Sequence, residues 1–184
     1  MLAIIQAPHS VLSAKAKDIK KFDKNLLVTI AEMTDTLLHA SDPEGVGLAA
    51  PQVGKSLNLF IIKEDEKAPI QVFINAQLTI IETEKKPTEK KGKKEKSVKL
   101  EGCLSLKDIW GVVHRAYEVE LTYQDEHGVS HTKRFTDFLA TIIQHEYDHL
   151  QGVLFPKRVL EQKGTLYKSV LNEKKEMEFQ ELTI

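Results

Sequence analysis

The stretch "TIIQHEYDHLQGVLF", residues 141–155, carries two histidines four positions apart behind an apolar approach. In an α-helix, residues four apart lie one above the other, with their Cβ atoms about 5–6 Å apart. His145 and His149 can therefore both direct an imidazole nitrogen at one ion. Glu146 points about 100° away around the helix, which places it to reach a water molecule on that ion. The spacing predicts a metal-binding helix that carries its own general base.

The third ligand of this predicted metal is not given by the helix. A catalytic metal normally has three protein ligands, and the pattern H-E-x-x-H-x-x-G-x-x-H is not completed, since Phe155 stands at its last position. A downstream glutamate, Glu161 or Glu173, would complete a set of two histidines and one carboxylate, although nothing around either residue favours it. Cys103 offers a thiolate, which binds zinc and ferrous iron well. A lone cysteine is more often a small buried apolar residue, but beside a helix that lacks one ligand we favour Cys103.

The composition indicates one folded domain, residues 1–184, without a global charge bias. Lys and Arg number 26 against 27 Asp and Glu, which gives a formal net charge of −1. This balance predicts no general attraction to nucleic acid or to an acidic membrane. The single cysteine excludes an internal disulfide and fits a reducing compartment. The sequence shows neither a secretory signal pattern nor an apolar run of about 18 residues, so we expect a cytoplasmic protein.

Strand-like patterns fill the middle of the chain and helical patterns flank them, which predicts an α+β fold. Residues 24–39 place apolar side chains at helical spacing, with Asp23 as N-cap. A last helix is predicted from about Asp137 to Gln151, ended by Gly152. The predicted strands are 57–63, 70–75, 77–83, 110–115, 117–124 and 129–135, the last two joined as a hairpin by the turn "DEHG".

Two segments differ from the rest of the chain. Residues 84–96, "EKKPTEKKGKKEK", hold seven lysines and three glutamates and no apolar residue. This composition predicts a solvated surface insertion between strands; a contact with RNA phosphates is the alternative, and the lack of arginines and aromatic residues disfavours it. Residues from about 161 to 184 form a C-terminal extension of mixed charge with a partly helical pattern.

Three motifs follow one another along the chain: "GVGLAAPQVG" at 45–54, "EGCLSL" at 101–106 and "QHEYDHL" at 144–150. The small residues of the first predict a tight turn, while the amide of Gln52 is a neutral donor suited to a developing oxyanion. In this order and at these separations the motifs resemble those of peptide deformylases, enzymes that remove the N-formyl group from nascent bacterial polypeptides. The resemblance extends over residues 8–155.

The resemblance implies antiparallel sheets packed around a central helix that carries the H-E-x-x-H pattern. It implies that Cys103, His145 and His149 bind one divalent metal ion. It further implies that Glu146 is the general base and acid, and that Gln52 and the backbone N–H of Leu104 bind the formyl oxygen in the transition state. An ion at such a site lowers the pKa of water towards neutrality, so that Glu146 can remove the proton.

An apolar pocket beside the metal is predicted for the methionine side chain of the substrate. Phe138, Thr141 and Ile142 lie seven, four and three residues before His145, on its side of the helix. An unbranched thioether fits such an irregular apolar pocket easily. The resemblance adds three residues to this substrate site: Val46, Gly47 and Glu101.

The resemblance also implies the metal and the partners. Ferrous iron is the expected working ion in the cell, and zinc, nickel or cobalt are expected in an aerobically purified sample. Formylmethionyl nascent peptides are the expected partners of a monomer in a bacterial-type cytoplasm, with a transient ribosome contact, no specific nucleic acid and no membrane. The chain departs from the family pattern at Ala76, Lys107 and Trp110. Because of Trp110, the resemblance does not determine the rim of the substrate site.

Two other functions remain as alternatives on the sequence alone. A metallopeptidase that cuts internal peptide bonds would need an extended cleft and, usually, a third ligand other than cysteine. A metal-binding protein without catalysis would need neither Glu146 nor Gln52, and both are present.

Overall fold

The computed structural model describes residues 1–40, 45–65, 67–81, 100–172 and 176–183. The helices are α1 (Lys24–Leu38), α2 (Asp137–Leu150) and α3 (Phe155–Glu161), with short 3-10 segments at Ser10–Ser13 and Ala50–Val53. The strands are β1 (Gly47–Ala49), β2 (Leu59–Ile62), β3 (Gln71–Ile81), β4 (Glu101–Cys103), β5 (Leu106–Gly111), β6 (Glu118–Gln124), β7 (Ser130–Thr136), β8 (Leu166–Leu171) and β9 (Met177–Glu181).

The strands form two antiparallel sheets. One has the order β1-β2-β3-β6-β7 and the other has the order β4-β5-β8-β9. Helix α2 packs against the larger sheet, where Ile142 and Ile143 meet buried side chains such as Phe60 and Phe73. The strands β1 and β4 lie at the free edges of their sheets. The predicted α+β class with antiparallel sheets is confirmed, and residues 145–149 lie within α2.

The ends of α1 and α2 follow the predicted signals. The side chain of Asp23 accepts hydrogen bonds from the backbone N–H groups of Asn25 and Leu26, which satisfies two donors that a helix start leaves unpaired. Helix α2 ends before Gly152, whose φ of +70° lies in the left-handed region. A Cβ atom at Gly152 would also lie 2.7 Å from the backbone of Ser13. Both the backbone conformation and the lack of space therefore require glycine at this position.

The strands predicted at 70–75 and 77–83 are one strand, β3, with an irregular register between Ile74 and Gln77. Asn75 at this point has a φ of +52°. Its side chain accepts a hydrogen bond from the N–H of Ile19 and donates one to the carbonyl of the same residue. The gap between the two predicted strands is thus a β-bulge within one strand, and Asn75 in it bonds to another part of the chain. Residues 82 and 83 lie outside the described residues, as does the lysine-rich segment 84–96.

The strand predicted at 110–115 lies earlier in the chain, as β5, and ends at Gly111. Further along the chain, α2 is not the last helix, since α3 follows it, and the helical interpretation of the C-terminal extension is wrong beyond Glu161. Strands β8 and β9 form a hairpin there, and β8 pairs with β5. The segment forms a strand instead because β8 can pair with the edge of β5.

Among the described residues, no helix is both long enough and apolar enough to cross a membrane.

Two of the left-handed glycines, Gly54 and Gly152, allow a matched test of the backbone requirement. Gly54→Ala, at φ +78° with the nearest atom 3.7 Å away, should lower the free energy of unfolding by about 1–2 kcal/mol from backbone strain alone. Gly152→Ala should lower it by about 1–3 kcal/mol more, because its Cβ also meets the backbone of Ser13. Urea unfolding of both variants measures the difference; equal losses would show that the contact with Ser13 is unimportant.

Candidate metal centre

Cys103, His145 and His149 converge on one point. Cys103 ends the edge strand β4, and the two histidines lie one turn apart on α2. One donor atom from each of the three residues lies within 4.8 Å of the others, and Cys103 Sγ lies 3.2 Å from His149 Nε2. Cys103 and His149 are almost fully buried. One thiolate and two imidazoles at such separations fit a tetrahedral site for zinc or ferrous iron.

His145 is oriented by Glu101. Its Nδ1 lies 3.0 Å from Glu101 Oε2, which leaves Nε2 for the metal. Burial raises the pKa of Glu101, but hydrogen bonds from His145 and Arg115 lower it more strongly, to about 2. Glu101 is therefore ionised at neutral pH, and Nδ1 must carry the proton. A carboxylate that fixes the tautomer of a metal-binding histidine is a common supporting arrangement.

A buried arginine forms hydrogen bonds to both parts of the chain that carry the candidate ligands. Arg115 donates to Glu101 Oε1 from Nε at 2.8 Å and to Asp148 Oδ2 from Nη1 at 2.6 Å. Asp148 in turn accepts from Arg158 Nη2 on α3 at 2.7 Å. The side chains of Arg115 and Asp148 are each only 7% exposed, so neither charge is solvated and each needs the other.

The side-chain amide of Gln52 has a fixed orientation. Its Oε1 accepts a hydrogen bond of 2.8 Å from the backbone N–H of Ala49. Its Nε2 consequently points at the metal centre and lies 3.6 Å from Cys103 Sγ. Gln52 is only 2% exposed, and the 3-10 segment that carries it is closed by Gly54. The amide thus presents a donor to the pocket.

Glu146 is a buried carboxylate beside the ligands. Strand β1 passes so close that a Cβ atom at Gly47 would collide with the carboxylate, so the glycine is required for this approach. Burial raises the pKa of Glu146 to about 7, while burial lowers the pKa of His149 well below its usual value. Within the part of the chain that the structure describes, Glu146 Oε2 has no hydrogen-bond partner, so this oxygen remains available to a molecule in the pocket.

A cavity of about 290 Å³ opens at this point. Eleven of the twelve site residues predicted from the sequence line it: Val46, Gly47, Gln52, Glu101, Cys103, Leu104, Phe138, Thr141, Ile142, His145 and Glu146. The twelfth, His149, is buried beside Cys103. Of the alternative third ligands, Glu161 instead pairs with Arg158 at 3.0 Å, and Glu173 lies outside the described residues.

Sequence reasoning did not single out several residues of the site. The cavity is also lined by Gly45, Leu100 and Gly102. Trp110, to which the sequence assigned no role, lines it as well. Arg115 and Asp148 were missed altogether, although a signal was present. Asp148 lies among buried positions of α2 and needs a cation, and the chain has only three arginines.

Three residues that could hold one metal ion lie beside a buried carboxylate and a largely apolar cavity, an arrangement that fits a metal-dependent hydrolase. The model of the polypeptide deformylase family matches residues 1–164, and the chain belongs to that family. Enzymes of this family are metal-dependent and remove the N-formyl group from nascent peptides, and this activity is the function of the chain.

Individual relatives agree with the family match. The peptide deformylase of Pseudothermotoga lettingae is 40% identical over 145 residues, which are 79% of this chain and 75% of the relative. That of Desulfotalea psychrophila is 34% identical over 91% of this chain and 93% of the relative. Among solved structures, the peptide deformylase of Thermotoga maritima superposes with a TM-score of 0.72 at 35% identity, covering 86% of this chain and 97% of that one.

The orientation of His145 by Glu101 can be tested on metal binding alone. Glu101→Gln removes the charge that holds Nδ1–H and should weaken the affinity for zinc by about 10–100-fold, the usual effect of losing such support. Glu120→Gln is the matched control, since Glu120 bonds Arg134 on the surface. Competition with a chelator measures both affinities. The same affinity in the two variants would contradict the role of Glu101.

Proposed function

We propose that deformylation takes place at the cavity described above, with Cys103, His145 and His149 as the ligands of one divalent ion. The observation that carries this proposal is the convergence of three donors, one buried carboxylate and one oriented amide on a single cavity. An ion held there would polarise the formyl carbonyl and lower the pKa of water. The other steps belong to the residues of the chain.

Glu146 is the general base and acid in this proposal. It takes a proton from the water that attacks the formyl carbon and delivers it to the leaving nitrogen as the C–N bond breaks. Formate and a free N-terminal amine are the products. The support for this role is the burial of the carboxylate beside the ligands and an oxygen that bonds no other described residue.

Gln52 and the backbone N–H of Leu104 stabilise the oxyanion that forms on the formyl oxygen. The bond from Ala49 N–H to Gln52 Oε1 supports this assignment, because it directs the Nε2 donor at the cavity without any rearrangement. A donor that is already oriented before the reaction is worth more than one that must turn into place. Leu104 directly follows Cys103 in the chain and lines the same cavity, which supports the assignment of its N–H.

The methionine side chain of the substrate occupies the apolar part of the cavity. Val46 from the segment before β1 and Phe138, Thr141 and Ile142 from α2 line that part. Glu101 also lines the cavity, but its carboxylate bonds His145 and Arg115. We therefore assign Glu101 to orienting His145 rather than to a direct contact with the substrate.

We further propose ferrous iron as the working ion, a monomer as the active unit, and a transient contact with the ribosome in a bacterial-type cytoplasm. The three proposed ligands and the proposed base lie close together within a single chain, so the site needs no residue from a second copy. Nascent substrates emerge from the ribosome, which supports the contact and the location. One thiolate and two imidazoles accept either iron or zinc, so the choice of metal needs a direct measurement.

Variants of Glu146 and Gln52 separate metal binding from catalysis. Glu146→Gln should keep stoichiometric metal and lose most turnover, because the carboxylate acts on water and not on the ion. Gln52→Ala should lower kcat about 10²–10³-fold with a smaller change in KM, the effect of losing one oxyanion donor. Formate release from a formyl-Met peptide and metal analysis are measured on each variant, with an internal-bond peptide as control substrate. Near-normal turnover by Glu146→Gln would require another base.

Iron and zinc forms prepared without oxygen test the metal. The iron form should have the higher activity per bound metal and lose it in air, because oxygen oxidises the iron and then the sulfur of Cys103. A nickel or cobalt form should outlast it. If the zinc form matched the iron form and both were stable in air, the assignment of iron would be wrong, while the deformylase activity would stand.

A further inference from the structure

Trp110, the only tryptophan of the chain, is seated beside the metal centre. It lies on β5 directly opposite Gly102 of β4. A Cβ atom at Gly102 would lie 2.7–3.0 Å from three carbons of the indole, so the ring covers Gly102 and only glycine fits beneath it. Since Gly102 immediately precedes the ligand Cys103, one wall of the cavity is an indole a single residue away from a metal ligand.

The C-terminal hairpin holds this indole in place. Trp110 Nε1 donates a hydrogen bond of 3.2 Å to Ser169 Oγ on β8. The ring of Phe179 on β9 meets the indole edge to face, with 5.7 Å between centroids and 80° between planes. Ser169 and Phe179 are directly paired across β8 and β9. Both residues lie beyond residue 164, where the match to the family model ends, so this support belongs to the C-terminal extension of the chain.

An extended peptide in the cavity would direct its second side chain towards this wall. Successive side chains of an extended chain point in opposite directions, and successive Cα atoms are 3.8 Å apart. When the methionine side chain enters the apolar part of the cavity formed by α2, the next side chain points towards the opposite wall. Trp110 lines the same cavity but belongs to β5 of the smaller sheet and not to α2.

We propose that Trp110, held by Ser169 and Phe179, contacts the peptide residue directly after formylmethionine and gives the enzyme a preference for an apolar residue there. The inference rests on the proposed site and deepens it. Trp110 is the specificity residue, and Ser169 and Phe179 are positioning residues. An indole with its N–H already bonded presents only ring carbons to the peptide, so it favours an apolar side chain over a charged one.

The test uses the metal-loaded full chain and two peptides, formyl-Met-Leu-Ser and formyl-Met-Asp-Ser. Trp110→Ala and Phe179→Ala should each reduce the ratio of kcat/KM for the Leu peptide to kcat/KM for the Asp peptide. The expected reduction is about fivefold, for the loss of one aromatic contact. It should arise from a change in KM and not in kcat. Ser169→Ala should do the same more weakly, and Ser169→Thr, which keeps the hydroxyl, should restore the ratio. Leu171→Ala, further along β8, is the matched control and should leave the ratio unchanged.

Trp110 fluorescence gives a second measurement that does not depend on turnover. Binding of the product peptide Met-Leu-Ser should shift the emission of the unsubstituted chain, and Phe179→Ala should weaken that binding. An unchanged ratio in both Trp110→Ala and Phe179→Ala would overturn the inference, and so would an equal fall in kcat for both peptides. Failure of the unsubstituted, metal-loaded chain to release formate from either peptide would overturn the proposed function, and the inference with it.

Discussion

The buried guanidinium of Arg115 is the interaction on which the metal centre depends. It bonds Glu101 at the start of β4 and Asp148 on α2, and those two elements carry the three candidate ligands. Removing one partner of a buried ion pair leaves a charge without compensation, which is strongly destabilising. Arg115 therefore fixes the distance between the strand that carries Cys103 and the helix that carries both histidines. By bonding Glu101, Arg115 also helps to determine which ring nitrogen of His145 carries the proton.

Close packing of small residues is the second constraint on the site. Gly47 allows β1 to pass directly over the Glu146 carboxylate, and Gly102 allows the indole of Trp110 to lie against β4. Both glycines stand on edge strands, one in each sheet. The two sheets thus bring a carboxylate and an aromatic wall to the same cavity, with the ligands between them. Larger residues at either position would displace a functional side chain and not merely loosen the core.

The sequence predicted the parts of the site that follow from local periodicity and motif chemistry. The spacing of His145 and His149 follows directly from the helical repeat. Donor chemistry favoured Cys103 and singled out Gln52, and the resemblance then implied the role of each. Arg115 and Asp148 were not predicted, because they meet across 33 positions of the chain and the buried helix position of Asp148 does not indicate which arginine pairs with it. The C-terminal hairpin was also missed, since its pairing with β5 depends on an edge that only the folded sheet provides.

The central claim is that Cys103, His145 and His149 together hold the metal, and X-ray absorption spectroscopy of the metal-loaded chain tests it most directly. For zinc, we predict one sulfur at about 2.3 Å and two imidazole nitrogens at about 2.0–2.1 Å, and the loss of the sulfur shell in Cys103→Ser. A first shell of nitrogen and oxygen alone in the unsubstituted chain would contradict the account.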